Sequence, residues 1–209
     1  MSTGRKTSLA QAKRLAAAFT SLIADVTASE VCGSVRRLRP SVGDIEIVCL
    51  PSDRTKLLAR LDGLVAEGTI RKATYGATLA HRWGPTYRGL MFEGVKVEVF
   101  CATPENHGFI TWLRTGPAEA NMHVMTRMQQ ENWPVRFRDG YAWHDAPEGV
   151  SHKLDASDER TVFAFLGLDF VTPEHRSVPA YIRVCDVRPT DAQLRAWWLK
   201  GVPQQSSLF

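Results

Sequence analysis

The first pattern along the chain is a set of apolar residues that recur at near-helical spacing. It follows Ser8, which forms a capping-box pattern with Gln11, and it is made by Leu9, Leu15, Phe19 and Ile23. This spacing predicts a helix from about Leu9 to Val26. A second apolar face predicts a helix in "SDRTKLLARLDGLVAEG", with Ser52 as its N-cap.

Four β-rich runs flank this second helix. "SEVCGS" and "GDIEIVCLP" surround a turn and predict a strand pair, and "RGLMFEG" and "VKVEVFC" predict two later strands. In the last run, valines alternate with Lys96 and Glu98, which is the period of a half-buried strand. The first half therefore combines a sheet with crossing helices.

The second half predicts helices around one hairpin. Helices are expected from Thr103-Pro104 to "WLRTG", from Ala118 to Gln130, and in "DERTVFAFLG" and "DAQLRAWWLK". "PVRFRDGYAWHD" carries the Asp-Gly pair of a β-hairpin and begins a small second sheet. The fold class is α+β, with a boundary expected between Thr103 and Pro117.

Composition narrows the setting. The 209 residues are 44% hydrophobic, enough for one sizeable domain or two small ones, and a net charge of +4 permits a polyanionic partner without demanding one. No segment reaches transmembrane length and no signal core is present, so we expect a cytoplasmic protein with no membrane partner. Without CxxC spacing, the cysteines are expected to be buried thiols in a reducing cytoplasm; they are Cys32, Cys49, Cys101 and Cys185.

The stretch "GSVRRLRPSVGDIEIV" carries the candidate chemistry. Asp44 and Glu46 lie two apart on a predicted strand, so both side chains leave the same face. Neighbouring carboxylates stay ionised when a cation neutralises them, and oxygen ligands favour Mg²⁺. Glu98 is the candidate third ligand.

The start of the same stretch suits phosphate. Ser34 and the backbone amides of the Gly33-Ser34 turn are candidate donors, Gly33 would let a substrate approach the backbone, and Arg37 would add a charge-assisted hydrogen bond. Each feature alone is common on ordinary surfaces. Their conjunction favours a site for metal and nucleotide.

Three segments together resemble one family. "GSVRRLRPSVGDIEI" resembles the GSxRR…GDxD signature of family X DNA polymerases, the polymerase-beta-like branch of the nucleotidyltransferase superfamily. "RTGPAEANM" and "SDERTVFAFLGLDFVTPEHRS" resemble two later elements of that family. The resemblance implies a palm of mixed sheet with flanking helices at 31–103 and a small α/β thumb at 104–188. An N-terminal helix at 1–30, a C-terminal helix at 189–201 and a flexible tail at 202–209 complete the predicted organisation.

By this resemblance, the protein is a minimal DNA polymerase acting in gap filling or repair. Its partners would be a DNA primer-template and a dNTP. Asp44, Glu46 and Glu98 would be the catalytic ligands of two Mg²⁺ ions, with Mn²⁺ as an alternative. The nucleotide-binding positions implied by the resemblance are Gly33, Ser34, Arg37, Gly43, Thr115, Gly116 and Asn121.

Several positions depart from the family pattern. Glu46 and Glu98 replace the usual aspartates, which leaves the metal spacing open, and Leu113-Arg114 replaces a Tyr-Phe pair, which leaves the choice of sugar open. Pro117 follows the glycine at which the family often has a cis peptide, so we predict a cis Gly116-Pro117 bond. About thirty residues precede the motif, which implies a slight grip on DNA. The candidate backbone contacts are His123, Arg127, Arg136 and Arg138.

The chain ends in "QSSLF", which resembles the bacterial sliding-clamp-binding pentapeptide. By this resemblance, Gln205, Leu208 and Phe209 would bind the clamp. Two other functions remain open: nucleotidyl transfer to an RNA, small-molecule or protein acceptor, and a non-catalytic clamp- or DNA-binding descendant of a polymerase.

Overall fold

A computed structural model describes residues 6–183 and 188–200, and the backbone of Gln205 and Ser206. The chain divides into two compact units, Met1–Ala102 and Thr103–Phe209. Palm and thumb roles for these units stay predictions. Within the described residues, no helix has the length and apolar character needed to cross a membrane.

The first unit consists of a mixed sheet with helices. Its helices are α1 (Leu9–Ser21), α2 (Gly33–Arg36) and α3 (Arg54–Ala66). Its strands are β1 (Thr7–Ser8), β2 (Ala28–Val31), β3 (Ser41–Val42), β4 (Ile45–Leu50), β5 (Arg71–Lys72), β6 (Thr74–Tyr75), β7 (Ala80–His81), β8 (Tyr87–Phe92) and β9 (Val95–Cys101).

The main sheet has the strand order β2-β4-β9-β8-β5. β4 and β9 are parallel, and the other neighbours are antiparallel. The predicted pair formed by "SEVCGS" and "GDIEIVCLP" is confirmed as β2 and β4. Short ladders join β1 to β3 and β6 to β7.

The core of this unit lies on one face of the main sheet. Ile45 and Ile47 of β4 and Val97 and Val99 of β9 pack in one buried cluster with apolar residues of α1 and α3. Because side chains alternate along a strand, the residues between them emerge on the other face. That second face carries the acidic side chains of both strands.

Two helix ends differ from the sequence prediction. α1 ends at Ser21 rather than Val26, where the hydroxyls of Thr20 and Ser21 donate to the carbonyl of Ala17. Such local bonds compete with continuation of a helix. The N-cap of α3 is Asp53 rather than Ser52, because the Asp53 carboxylate accepts from the first backbone N–H groups of the helix.

The second unit combines helices with an antiparallel sheet. Its helices are α4 (His107–Thr115), α5 (Ala118–Gln130), α6 (Glu159–Phe165), α7 (Val178–Arg183) and α8 (Asp191–Ala196), with a 3₁₀ turn at Pro173–His175. Its strands are β10 (Val135–Arg138), β11 (Tyr141–Asp145), β12 (Val150–Lys153) and β13 (Gln205–Ser206), paired in that order. The predicted Asp139-Gly140 hairpin is confirmed, with both residues at positive φ.

Side-chain contacts set the ends of two helices in this unit. α4 begins at His107 rather than at Thr103-Pro104, because the amide of Asn106 accepts from the backbone of Thr103 and donates to the carbonyl of Gly140. α8 has the predicted capping box at Thr190. It ends at Ala196, and Trp198 pairs by its backbone with Leu154.

The cysteines of the described residues are buried. Cys32, Cys49 and Cys101 are free thiols, as the sequence predicted. Cys185 lies outside the described residues.

Candidate active site

The sheet brings the three predicted carboxylates to one face of the first unit. Asp44 directly precedes β4, Glu46 is the second residue of β4, and Glu98 lies on β9. Glu46 and Glu98 are direct Cα partners in the parallel ladder. Neighbouring strands lie about 4.8 Å apart, so the register itself sets these two acids side by side.

Lys96 joins two of the carboxylates. Its ammonium lies 3.0 Å from Oδ2 of Asp44 and 2.8 Å from Oε1 of Glu98. Burial alone would lower the pKa of Lys96, but hydrogen bonds to Glu98 and Asp44 raise it above its ordinary value. The lysine is therefore a fixed positive charge between the two acids. In the sequence, the alternation of Lys96 with valines predicted a polar position on a strand. It did not predict that Lys96 contacts both Asp44 and Glu98.

The donor atoms fit a hard divalent cation in type, but they do not form a ready cage. Among the described residues, no group of three His, Cys, Asp or Glu side chains is arranged to hold a metal ion. The ammonium of Lys96 lies between Asp44 and Glu98. An ion bound by both acids therefore requires this lysine to withdraw, and the predicted three-ligand site is not preformed.

Gly33 makes room for the second carboxylate. It has φ +63°, and a Cβ atom built there would overlap Oε2 of Glu46 and lie 3.0 Å from its Cδ. The backbone also holds this pair together, because the N–H of Cys32 donates to the carbonyl of Glu46 at 2.7 Å. Sequence analysis assigned the glycine to substrate approach; here its missing side chain accommodates a side chain of the protein itself.

The predicted Gly33-Ser34 turn is the start of α2. Ser34 is its second residue, and Arg37 is its C-cap. Arg36 contacts Glu30 of β2 at 2.8 Å, so one of the two adjacent arginines has an acidic partner within the protein. Gly43 lies directly before Asp44, with open space where a side chain would be. Contacts of Gly33, Ser34, Arg37 and Gly43 with a nucleotide stay predictions.

Two tyrosines converge on Glu98. The hydroxyl of Tyr87 donates to Oε1 of Glu98 at 2.9 Å, and that of Tyr75 lies 3.3 Å from the same oxygen. The two hydroxyls are 2.6 Å apart. Burial raises the pKa of both tyrosines, and the charge of Glu98 raises it further. Sequence analysis missed both residues, because neither lies near the acidic motif along the chain.

The candidate nucleotide residues of the second unit surround the end of α4. Thr115 is fully buried, Gly116 is the C-cap of α4, and the Gly116-Pro117 bond is cis, as predicted. Asn121 of α5 is buried, and its amide donates to the carbonyl of Leu113 at 3.0 Å. Asn121 thus ties two helices together within this unit. Its contact with a base stays a prediction.

The candidate DNA-contacting arginines have partners inside the second unit. Arg127 pairs with Glu131 at 2.9 Å, and Arg138 lies 3.6 Å from Asp145. Arg136 donates to the carbonyl of Trp133. His123 is exposed on α5. Their contacts with DNA stay predictions.

The fold is similar to that of a known polymerase. A structure described as "Crystal structure of Leishmania infantum polymerase beta: Ternary P/T complex" matches with a TM-score of 0.65 and 16% sequence identity, over 83% of this chain and 77% of that chain. No protein-family profile matches the chain, and no curated protein matches its sequence. At this identity the likeness concerns the fold alone: the chain has a mixed sheet with flanking helices, similar to polymerase beta.

Proposed function

We propose that the protein is a nucleotidyltransferase, and specifically a minimal DNA-directed DNA polymerase of the polymerase-beta type. The proposal rests on one observation: Glu46 and Glu98 are in register on adjacent parallel strands, and Asp44 reaches the same ammonium as Glu98. The similarity of the fold to polymerase beta supports it.

Each acidic residue has a defined part in this proposal. Asp44, Glu46 and Glu98 would hold two divalent ions, Mg²⁺ or Mn²⁺. Such ions, when bound, neutralise triphosphate charge and lower the pKa of an attacking hydroxyl. Before they bind, Lys96 holds Asp44 and Glu98 close together, because its ammonium contacts both.

The residues before Asp44 would receive the phosphates. Ser34 contributes a hydroxyl and a backbone amide, and Arg37 contributes a guanidinium. The short α2 orders both, since Arg37 N–H donates to Gly33 and Arg39 N–H donates to Ser34. This segment and the acidic strand are joined by the Cys32–Glu46 backbone bond.

Primer extension on a gapped template tests the proposal. A labelled primer is offered each dNTP and NTP singly, with Mg²⁺ or Mn²⁺. Correct-base addition of dNTPs supports a template-directed polymerase. Template-blind addition indicates transfer to another class of acceptor, such as RNA, a small molecule or a protein, and silence with every metal indicates a non-catalytic binding module.

Matched acidic variants show whether the activity belongs to this site. Asp44→Ala should lose all addition, whichever acceptor is used. Glu67→Gln is the control, because Glu67 caps α3 on the surface and pairs only loosely with Arg60, at 3.7 Å. Equal activity of the two variants would place the reaction elsewhere or in a contaminant.

We also propose that the tail binds a bacterial sliding clamp in the cytoplasm, which would compensate for a slight grip on DNA. Gln205 belongs to β13, beside β12, whereas Leu208 and Phe209 lie outside the described residues. Clamp binding by Gln205 would therefore compete with its pairing in the sheet. A clamp pull-down in which deletion of the last five residues changes nothing would refute this proposal.

A further inference from the structure

We propose that two tyrosines position Glu98 for ion binding through their paired hydroxyls: Tyr75, on the hairpin of residues 73–82, and Tyr87, on β8. This inference deepens the proposed function and rests on it. Tyr75 and Tyr87 are positioning residues, since they contact the carboxylate rather than the substrate.

The contacts on Glu98 are concentrated on one oxygen. Tyr87, Tyr75 and Lys96 all reach Oε1, at 2.9, 3.3 and 2.8 Å. Among these described contacts, Oε2 is the oxygen that stays available to an ion. When Lys96 withdraws, the hydrogen-bonded pair of phenols still donates to Oε1, so the carboxylate keeps its orientation.

A glutamate needs this support more than an aspartate would. Its additional methylene adds a rotatable bond, and the terminal torsion of a glutamate is broad. Restraining Oε1 through the hydrogen-bonded phenol pair removes much of that freedom before an ion arrives. The exposed fraction of the Glu98 side chain is 15%, so water offers little competition for these bonds.

Backbone hydrogen bonds attach the hairpin to Gly89, the residue opposite Glu98 on the neighbouring strand. Gly89 of β8 is opposite Glu98 in the antiparallel ladder. The N–H of Ala73 donates to the carbonyl of Gly89 at 2.9 Å, and the N–H of Gly89 donates to the carbonyl of Arg82 at 3.0 Å. Both ends of the hairpin are thus attached to one residue.

Gly89 also gives Tyr75 its path to the carboxylate. A Cβ atom at this position would overlap the Tyr75 hydroxyl oxygen and lie 2.8 Å from its Cζ. The ring of Tyr75 is further held between cations, with Arg82 at 4.6 Å and Lys96 at 5.5 Å from its centroid. A side chain on Gly89 would push the phenol away from Glu98.

Mn²⁺ binding by the full chain, followed by electron paramagnetic resonance, tests the inference. Tyr87→Phe should weaken Mn²⁺ binding about tenfold, the lower end of the range for loss of an outer-shell partner. Tyr75→Phe should weaken it less, because its bond is longer, and the double variant should weaken it most. Tyr141→Phe is the control, since its hydroxyl lies 3.3 Å from the hydroxyl of Thr103, within the second unit.

A second set of variants tests the route through Gly89. Gly89→Ala should weaken Mn²⁺ binding by displacing Tyr75, but it should have no further effect in a Tyr75→Ala background, where the methyl group has room. Gly84→Ala is the matched control, because its Cβ would lie 3.7 Å from the carbonyl of Tyr87, an ordinary contact.

The outcomes separate this inference from the proposed function. Mn²⁺ affinity that depends on the tyrosines, without nucleotide addition, would refute the polymerase and keep the positioning role. Nucleotide addition with Mn²⁺ affinity in the double tyrosine variant within twofold of the parent would overturn the inference alone. A parent chain that binds no Mn²⁺ would overturn both.

Discussion

Replacing Gly33 by alanine should disturb both the fold and the second carboxylate. Gly33 adopts φ +63°, which L-residues with a Cβ avoid, and its Cα faces the side chain of Glu46. The alanine methyl would overlap Oε2 of Glu46, so the Glu46 side chain has to shift away from its present rotamer. Two separable effects therefore act on the free energy of unfolding.

Their sizes follow from the geometry. The positive φ should cost about 1 to 2 kcal/mol. Forcing the Glu46 side chain off its rotamer should add about 0.5 to 1.5 kcal/mol. Gly68 isolates the first effect, because it has φ +74° with open space around a built Cβ. We expect Gly33→Ala to lower the free energy of unfolding by about 1.5 to 3.5 kcal/mol. Gly68→Ala should lower it by about 1 to 2 kcal/mol, the cost of the positive φ alone.

Urea unfolding of a double-mutant cycle measures the difference. In a Glu46→Ala background the clash is absent, so Gly33→Ala should cost no more than Gly68→Ala does. In the parent background it should cost more, and nucleotide addition should fall with it. Equal losses from Gly33→Ala in both backgrounds would refute the contact between this glycine and the carboxylate.

Three further predictions concern buried groups. Arg176→Met should cost about 3 to 5 kcal/mol in urea unfolding, because it breaks the 2.7 Å ion pair with the buried carboxylate of Glu159. Adding Glu159→Gln should restore part of the loss, and no restoration would contradict the ion pair. Burial lowers the pKa of His144, so the free energy of unfolding should fall as the pH drops below about 6.5, where the unfolded imidazole gains a proton and the folded one does not. His144→Asn should reduce this fall in the free energy of unfolding between pH 7.5 and 5.5. His175→Asn, at an exposed position, should retain it. An unchanged pH dependence in His144→Asn would contradict the assignment of the fall to His144. Burial raises the pKa of Cys49 to about 12, so iodoacetamide should label this thiol only after denaturation. Peptide mass mapping would show the labelling, and rapid labelling of the native chain would contradict the burial of Cys49.

Local patterns predicted which face each strand presents. The alternation of valines with Lys96 and Glu98 correctly predicted a buried face and a polar face of β9, because that alternation is a property of a few consecutive residues. The pairing of β9 with β4, and the register that opposes Glu98 to Glu46, depends on residues about fifty positions apart. Periodicity contains no information about that offset.

The parts of the site that sequence analysis missed are all products of such distant pairing. Tyr75 reaches Glu98 only because the hairpin folds back onto Gly89, and Lys96 reaches Asp44 only because two strands are parallel. The start of α4 was missed for a related reason. Asn106 binds Gly140, a residue far along the chain, and this bond favours a turn where Thr103-Pro104 alone predicts a helix.

The strand Thr7–Ser8 links the beginning of the chain to the acidic motif. It pairs with Ser41–Val42, and the N–H of Leu9 donates to the carbonyl of Pro40 at 3.2 Å. Asp44 follows this ladder by two residues, so the loop that presents it is anchored by residues from the amino end. Proteolytic trimming there, or a bulky fusion, would loosen the loop that carries Asp44 while leaving the hydrophobic core intact. The opposite end is therefore the safer place for an affinity tag in metal-binding work.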